Sequence, residues 1–565
     1  MIIRLEFYHR RRESGIFSRL MLPRSATLAC LGMAVLLLTT CTENVTDPGT
    51  TNPQSVSVLT QHNDNTRAGW NDHETALTTS NVNVQQFGKL FTLTVDGEVY
   101  AQPLVVGRVA IGGGHDVVYV ATVNNTVYAF DGDNGKLYWQ KSFTRAGWRP
   151  PRNTDMTGAC GGNYTNFSGS IGIVGTPVID TTSGTMYFVA RSTNGSAYVQ
   201  YLHGVSIVDG REIAGSPKII TAAVSGTGDG NVSGTITFDA QKENQRQGLT
   251  LLGGVVYVSF SSHCDWGPYH GWILGYDAAT LQQRIVYNDT PNGYAGGLWE
   301  SGAGMAADAG NLYVVTGNGT VGDGGDPTSP TNRGESALKL TPAGSTLGVT
   351  SYFTPYNYQF LNDNDVDYGT MGAFLIPNSG YYLTGGKDGN LYLLNKDAMG
   401  GFQSSSNQVQ QVVVLNGSAN MHCQPAYYSG SAKEFIYVWS ENDPLRAIPF
   451  DRASSLLDPP NQVYGPAGPT GQSGAVLSVS SDGSTDGTGI LWASYASSGD
   501  AESFVSPGIL RAFDANDVTK ELWNNHQNVA RDGAGTYAKF SPPTIANGHV
   551  YLPTFSNHVV VYGLQ

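Results

Sequence analysis

Two stretches of this chain gather the side chains that do chemistry. The first is His263-x-Asp265, with His270 close behind and His422-Cys423 far downstream. Imidazole, carboxylate and thiol are the donors of zinc and other transition metals, yet this spacing matches no specific metal motif. The activity such a cluster would carry is a hydrolase or lyase reaction on polysaccharide through His263, Asp265 and His270. His270 sits next to Tyr269 and near Trp272, the setting of a packed, hydrogen-bonded core histidine. The second stretch is Asp363-Asn364-Asp365-x-Asp367. Such carboxylates cap turns, and they also serve as general bases or as ligands of hard cations. No nucleophile elbow, dinucleotide fingerprint or EF-hand loop occurs, and the glycine-rich 321–325 lacks the lysine and helix of a phosphate loop.

The elements that must position these residues are strands. Residues 117–139 read VVYVATVNNTVYAFDGDNGKLYW. Val118, Val120 and Thr122 alternate with Val117, Tyr119 and Ala121, the period-2 pattern of a pleated strand. Asn124-Asn125 tolerates the positive φ of a two-residue hairpin, and 131–135 breaks the next strand with short polar turn formers. One such unit buries too little apolar surface to stand alone. Copies recur at 185–189, 254–258, 310–316, 389–394, 434–439, 489–494 and 548–552. The last copy lacks its fourth strand, while 88–95 (GKLFTLTV) is a strand without a copy of its own. Pairing the two closes a ring with no open sheet edge. The predicted fold is therefore all-β: an eight-bladed β-propeller of four-stranded antiparallel blades spanning 85–565. Gly-, Ser- or Pro-rich insertions at 143–174, 221–246, 319–335 and 457–475 are expected on one face as binding loops.

Composition agrees. Glycine makes up 71 of the 565 residues and charged residues 13 %, a profile of short strands and tight turns. The formal net charge is −14, and residues 1–24, with six Arg against Glu6 and Glu13, leave the remainder more acidic still. An acidic surface argues against nucleic acid and anionic membrane as partners. Residues 1–41 read as an export signal, with Arg24 before the apolar run 26–38 and a lipobox-like Leu38-Thr39-Thr40-Cys41. Cleavage there would place the protein in the periplasm, at the outer membrane or on the cell surface, touching a membrane only through a lipid on Cys41. Residues 42–84 follow as a flexible tether and lead-in. The five Cys are widely spaced with no CxxC. They form no disulfide framework but leave room for one pair among Cys160, Cys264 and Cys423.

Ala129-x-Asp131-x-x-Asn134-Gly135-Lys136-x-x-Trp139 resembles the tryptophan-docking repeat of pyrroloquinoline quinone (PQQ) propellers, A-x-D-x-x-T-G-K-x-x-W, with Asn134 in place of Thr. In that repeat the indole of one blade packs on the backbone of the next. Looser copies run from Ala512-x-Asp514 to Trp523 and from Gly275-Tyr276-Asp277 to Tyr287. The phrases at 299–319 (WESGAGMAADAGNLYVVTGNG) and 538–552 (AKFSPPTIANGHVYL) are similar to those of secreted bacterial PQQ-like propellers.

The same eight-bladed ring serves quinoprotein alcohol dehydrogenases and a cofactor-free lipoprotein of the outer-membrane barrel-assembly machinery. The resemblance therefore implies either a dehydrogenase for a small alcohol or sugar, with PQQ and Ca²⁺ on the axis, or an envelope scaffold with a protein or glycan partner. It implies a site residue by residue. Asp265 stands where the family has a ligand Glu, and Asn318 in TGN matches its ligand Asn. Trp299 matches the Trp beneath the quinone, Asp367 in DVDYG resembles the catalytic Asp, and Lys387 falls at the family's Arg or Lys. Asp265, Asn318 and Asp367 would hold the metal. The family's adjacent Cys-Cys pair is missing, and Val366 replaces the Trp before the base.

Overall fold

The structure, a computed structural model, describes residues 55–416 and 420–565. The export signal, Cys41 and most of the tether lie outside the described residues. Eight antiparallel meanders follow one another: blade 1 (104–142), blade 2 (178–219), blade 3 (250–288), blade 4 (306–354), blade 5 (374–414), blade 6 (426–464), blade 7 (476–524) and blade 8 (544–564). The expected closure is present. Phe87–Thr94 pairs antiparallel with His558–Leu564 and completes blade 8. First strands touch from blade 2 through blade 5 and from blade 6 through blade 8, and Thr544–Ala546 meets Leu104–Ala110 where the ring closes.

Contacts between blades explain the repeated tyrosine. Tyr119 of blade 1 donates to Ile207 O of blade 2 (2.9 Å), Tyr187 of blade 2 to Ala278 O of blade 3 (2.8 Å), and Tyr551 of blade 8 to Gly132 O of blade 1 (3.2 Å). Each hydroxyl fills a turn carbonyl of the next sheet while its ring joins the apolar layer between sheets. Trp139 docks as its motif implies, with Nε1 donating to Ile207 O at 3.1 Å. Gly210 makes the docking possible, because a Cβ there would lie 2.9 Å from the indole. Val118 and Val120 of blade 1 share one buried cluster with Met186 and Phe188 of blade 2 and with Val559 and Val561 of blade 8. The hydrophobic layers thus lie between the blades.

The lead-in is built into the ring. Residues 58–71 run around the axis and bond to every blade in turn. Val58 N donates to Val105 O in blade 1 (2.8 Å), and Leu59 O accepts from Ile179 N in blade 2 (2.9 Å). Thr60 Oγ1 donates to Leu249 O at the start of blade 3 (3.1 Å). Asn65 O, Thr66 O, Ala68 O and Gly69 O accept from Ala307, Leu375, Tyr427 and Val479 of blades 4 to 7 (2.7–2.9 Å). Asn71 Nδ2 reaches Ile545 O in blade 8 (2.9 Å). Arg67, with no exposed surface, lies at the centre. It donates to Met305 O, Thr60 Oγ1, Gln61 O and Thr250 Oγ1 at 2.7–3.1 Å. Burial lowers its pKa to about 10.

Candidate functional site

Above this plug the loops between blades enclose an axial funnel of about 530 Å³. Ser301 and Phe540 line both the funnel and the narrow space over Gln61 and His62, so the lead-in underlies it. A groove of about 630 Å³ between blades 1 and 2 is larger, but it is an open cleft lined by Lys141, Arg145, Arg211 and their neighbours. None of the predicted residues lies there.

Asp265, Trp299, Asp367 and Lys387 all line the funnel. They come from blade 3, the turn before blade 4, the loop before blade 5 and blade 5 itself. Asn318 joins them by hydrogen bonds. Its backbone N donates to Asp367 Oδ1 (3.1 Å) and its Nδ2 to Asp365 Oδ1 (2.8 Å). Lys387 Nζ lies 2.6 Å from Asp367 Oδ2 and 3.2 Å from Asp365 Oδ1. Gly317 of the TGN motif permits this approach: a Cβ there would lie 2.7 Å from both Asp367 Oδ1 and Trp299 Cδ1. Two buried polar atoms of the set have no partner, Asn318 Oδ1 and Trp299 Nε1.

The charges tune one another. Burial alone would lower Lys387, but Asp367 and Asp365 outweigh it and hold the ammonium above its ordinary range. Asp265 is exposed to the funnel as a residue, while its carboxyl is hemmed in and accepts from Tyr269 OH at 2.6 Å. Desolvation, then the charge of Asp367, raises its pKa to about 6. Behind Asp367, Glu335 is fully buried and accepts from Tyr368 N at 2.8 Å. Burial and Asp367 push it well above the carboxylate range. Left-handed backbone gathers here too. Cys264, Asp265, Ser301, Asp365 and Phe540 all have φ of +45° to +67° and all line the funnel, and strain of this kind concentrates at functional sites.

The rival histidine cluster does not assemble. His263 is buried, with Nδ1 on Tyr164 OH (2.9 Å) and Nε2 on Arg191 Nη1 (3.1 Å). Burial and the two arginines Arg191 and Arg246 hold it well below the ordinary histidine pKa. Both nitrogens of His270 are likewise bonded, to Thr290 Oγ1 and Asp229 O. His422 lines the funnel paired to Glu441 (2.7 Å), and Cys423 is buried against Trp439 O. No group of three His, Cys, Asp or Glu that could hold a metal is found among the described residues.

Cys160 and Cys264 form a disulfide, tying the loop after blade 1 to the loop that carries Asp265. Sequence reasoning passed over several other groups of the funnel: Arg246, Phe540, Glu441, Asp500 and Glu502. Part of the signal was there, because the insertions 143–174, 221–246 and 457–475 supply Asn166, Arg246 and Gln472.

No protein-family model and no curated protein matches the chain. Solved structures do. Quinohemoprotein alcohol dehydrogenase from Comamonas testosteroni is similar at 12 % identity and TM-score 0.56, over 91 % of this chain and 81 % of that one. The fold is that of the quinohemoprotein alcohol dehydrogenases. The enzyme ADHIIG from Pseudomonas putida HK5 matches at 12 % identity and TM-score 0.52, over 90 % of this chain and 80 % of its own. A europium-containing methanol dehydrogenase matches at 11 % and 0.56, over 90 % and 98 %.

Proposed function

We propose that the protein is an exported quinoprotein-type dehydrogenase that oxidises a small alcohol or sugar, with PQQ and Ca²⁺ held in the axial funnel. One observation carries this reading: Asp265, Trp299, Asp367 and Lys387, spread over successive blades, line one cavity, with Asn318 bonded to Asp367. The residues fit both groups in kind. Asp265, Asn318 and Asp367 offer only oxygen donors, the set a hard cation takes, and Asn318 Oδ1 is a buried acceptor with nothing on it. Trp299 supplies an aromatic surface whose Nε1 is also unfilled. When bound, the cation would polarise the quinone, and the quinone would take up the hydride, and with it both electrons of the oxidation, from the substrate carbon.

The chain's own part is to fix the base. Lys387 and the backbone N of Asn318 hold the two oxygens of Asp367, so the carboxylate is aimed before substrate arrives. Its role is to accept the proton of the substrate hydroxyl.

Reconstitution tests the reading. Purified protein given PQQ and Ca²⁺ is expected to acquire quinone absorbance and to reduce a dye with primary alcohols, and Asp367→Asn is expected to keep the absorbance and lose dye reduction. Failure to take up PQQ at micromolar concentration sinks the reading. Cation affinity, followed by terbium luminescence, is expected to rise between about pH 5 and about pH 7.5, because Asp265 must first lose a proton bound with a pKa of about 6.

A second reading, a non-catalytic envelope scaffold with a protein or glycan partner, rests on a different observation. Both oxygens of Asp367 are already held by protein groups. A stoichiometric partner recovered from detergent-solubilised envelope, together with no PQQ uptake, would select it.

A further inference from the structure

One cation of the funnel wall, Arg246, has no carboxylate on it, and two more cations, Lys539 and Arg191, are buried near it. Arg246, from the loop before blade 3, lays its guanidinium over the Phe540 ring at 4.0 Å, and its Nε is buried without an acceptor. It makes no ion pair among the described residues. Lys539, buried next to Phe540, donates only to the backbone oxygen of Glu502. Arg191, also buried, leans on the neutral His263, on Asn244 and on Gln245 O (2.7 Å). The mutual cost is visible. Burial, then Arg246, pushes Lys539 down to about 7, and burial, with Arg246 adding to it, pushes Arg191 down to about 9.

Buried charge is tolerated when paired and expensive when not. Asp265, Asp365, Asp367, Glu441, Asp500 and Glu502 also line the funnel, yet none of them forms an ion pair with Arg246, so this end of the cavity, with Lys539 and Arg191 buried close by, has room for a counter-ion. A guanidinium fixed by stacking and free of any ion pair suits the two oxygens of a carboxylate or phosphate.

We propose that Arg246, supported by Lys539, seats an anionic group of the substrate in the funnel, making the substrate class a hydroxylated acid or sugar phosphate rather than a neutral alcohol. This deepens the reading above and rests on it for the hydroxyl end, which would face Asp367. The anion site itself is a property of the protein without cofactor.

The test therefore uses cofactor-free protein and calorimetric titration with gluconate, glucose 6-phosphate and glucose. At least one of the two anions is expected to bind about tenfold or more tightly than glucose, and the tighter one names the anion. Arg246→Gln is expected to erase that preference, and Arg246→Lys to keep part of it. If Arg246→Gln does not fold, the wild-type preference and its partial retention in Arg246→Lys decide. The proposal is overturned if the three sugars bind alike, if none binds, or if Arg246→Gln keeps the preference. It is also overturned if Arg246→Gln abolishes PQQ uptake but leaves gluconate and glucose 6-phosphate binding intact, because the anion then belongs to the cofactor. A wild type that discriminates anions yet takes up no PQQ keeps this site and discards only the quinoprotein reading.

Discussion

The funnel wall built by blades 3 to 5 and the stretch around Arg246, Lys539 and Arg191 treat charge in contrary ways. In the first, every charge of the central group has a partner: Lys387 with Asp367 and Asp365, and both carboxylates with Asn318. In the second, three cations rest on carbonyls, an amide, a neutral imidazole and an aromatic face. The paired wall is set in its final geometry before anything binds. The unpaired one holds a desolvation penalty that a ligand can relieve. A site with both features can fix a reacting group at one end and draw its ligand in by the other.

The largest expected effect comes from unpicking the seam between them. Cys160–Cys264 closes a loop of 104 residues, and the chain-entropy account assigns a loop of that order about 4–5 kcal/mol. The double variant Cys160→Ser/Cys264→Ser is expected to lose most of that in urea unfolding and to bind cations at Asp265 more weakly. Reduced wild type should behave the same way. An unchanged midpoint would mean that the two stretches of wall are held together by something else.

Lys387→Met comes next. It removes the shared counter-ion and leaves Asp367, buried, beside Asp365 and Asp265. Breaking one partner of a buried pair costs about 3 kcal/mol or more. The loss should be full near pH 7.5 and shrink on acidification, as Asp265, already raised to about 6, takes up its proton and relieves the repulsion. A loss that ignores pH would show that Lys387 acts through packing.

The two stretches also differ in how far the sequence disclosed them. Blades are local: alternation, a tight turn and a tyrosine for the next sheet recur within each copy, so the ring and its closure by the strand near 88–95 were legible. Trp299, Asn318, Asp367 and Lys387 sit in motifs placed at fixed points of those copies, and they could be read with them. Arg246 and Lys539 belong to loops on either side of the ring seam, and only closure lays Arg246 over Phe540. The lead-in was illegible for a related reason. Each residue of 58–71 answers to a different blade, so its pattern has no period of its own, and nothing in its composition marks Arg67 as the centre of the plug.

The smallest expected effect is the sharpest, because it repeats the Lys→Met change on the unpaired side and should reverse its sign. Lys539 is buried, with Arg246 opposing its charge and Glu502 and Asp500 only partly offsetting that. Its pKa falls from 10.5 to about 7 on folding. Between those values the unfolded chain binds more protons than the folded one, so wild-type stability rises with pH across that window. Below about pH 7 the folded protein bears the whole cost of a buried ammonium. Methionine of similar length bears none and gives up only the bond to Glu502 O. Lys539→Met is therefore expected to be more stable by about 1 kcal/mol near pH 6, with the gain fading towards pH 10. It should also weaken gluconate binding, since the stabilised pocket no longer calls for an anion as strongly. A destabilisation matching that of Lys387→Met would mean that Lys539 has a partner after all, and the two stretches of wall would then follow the same rule.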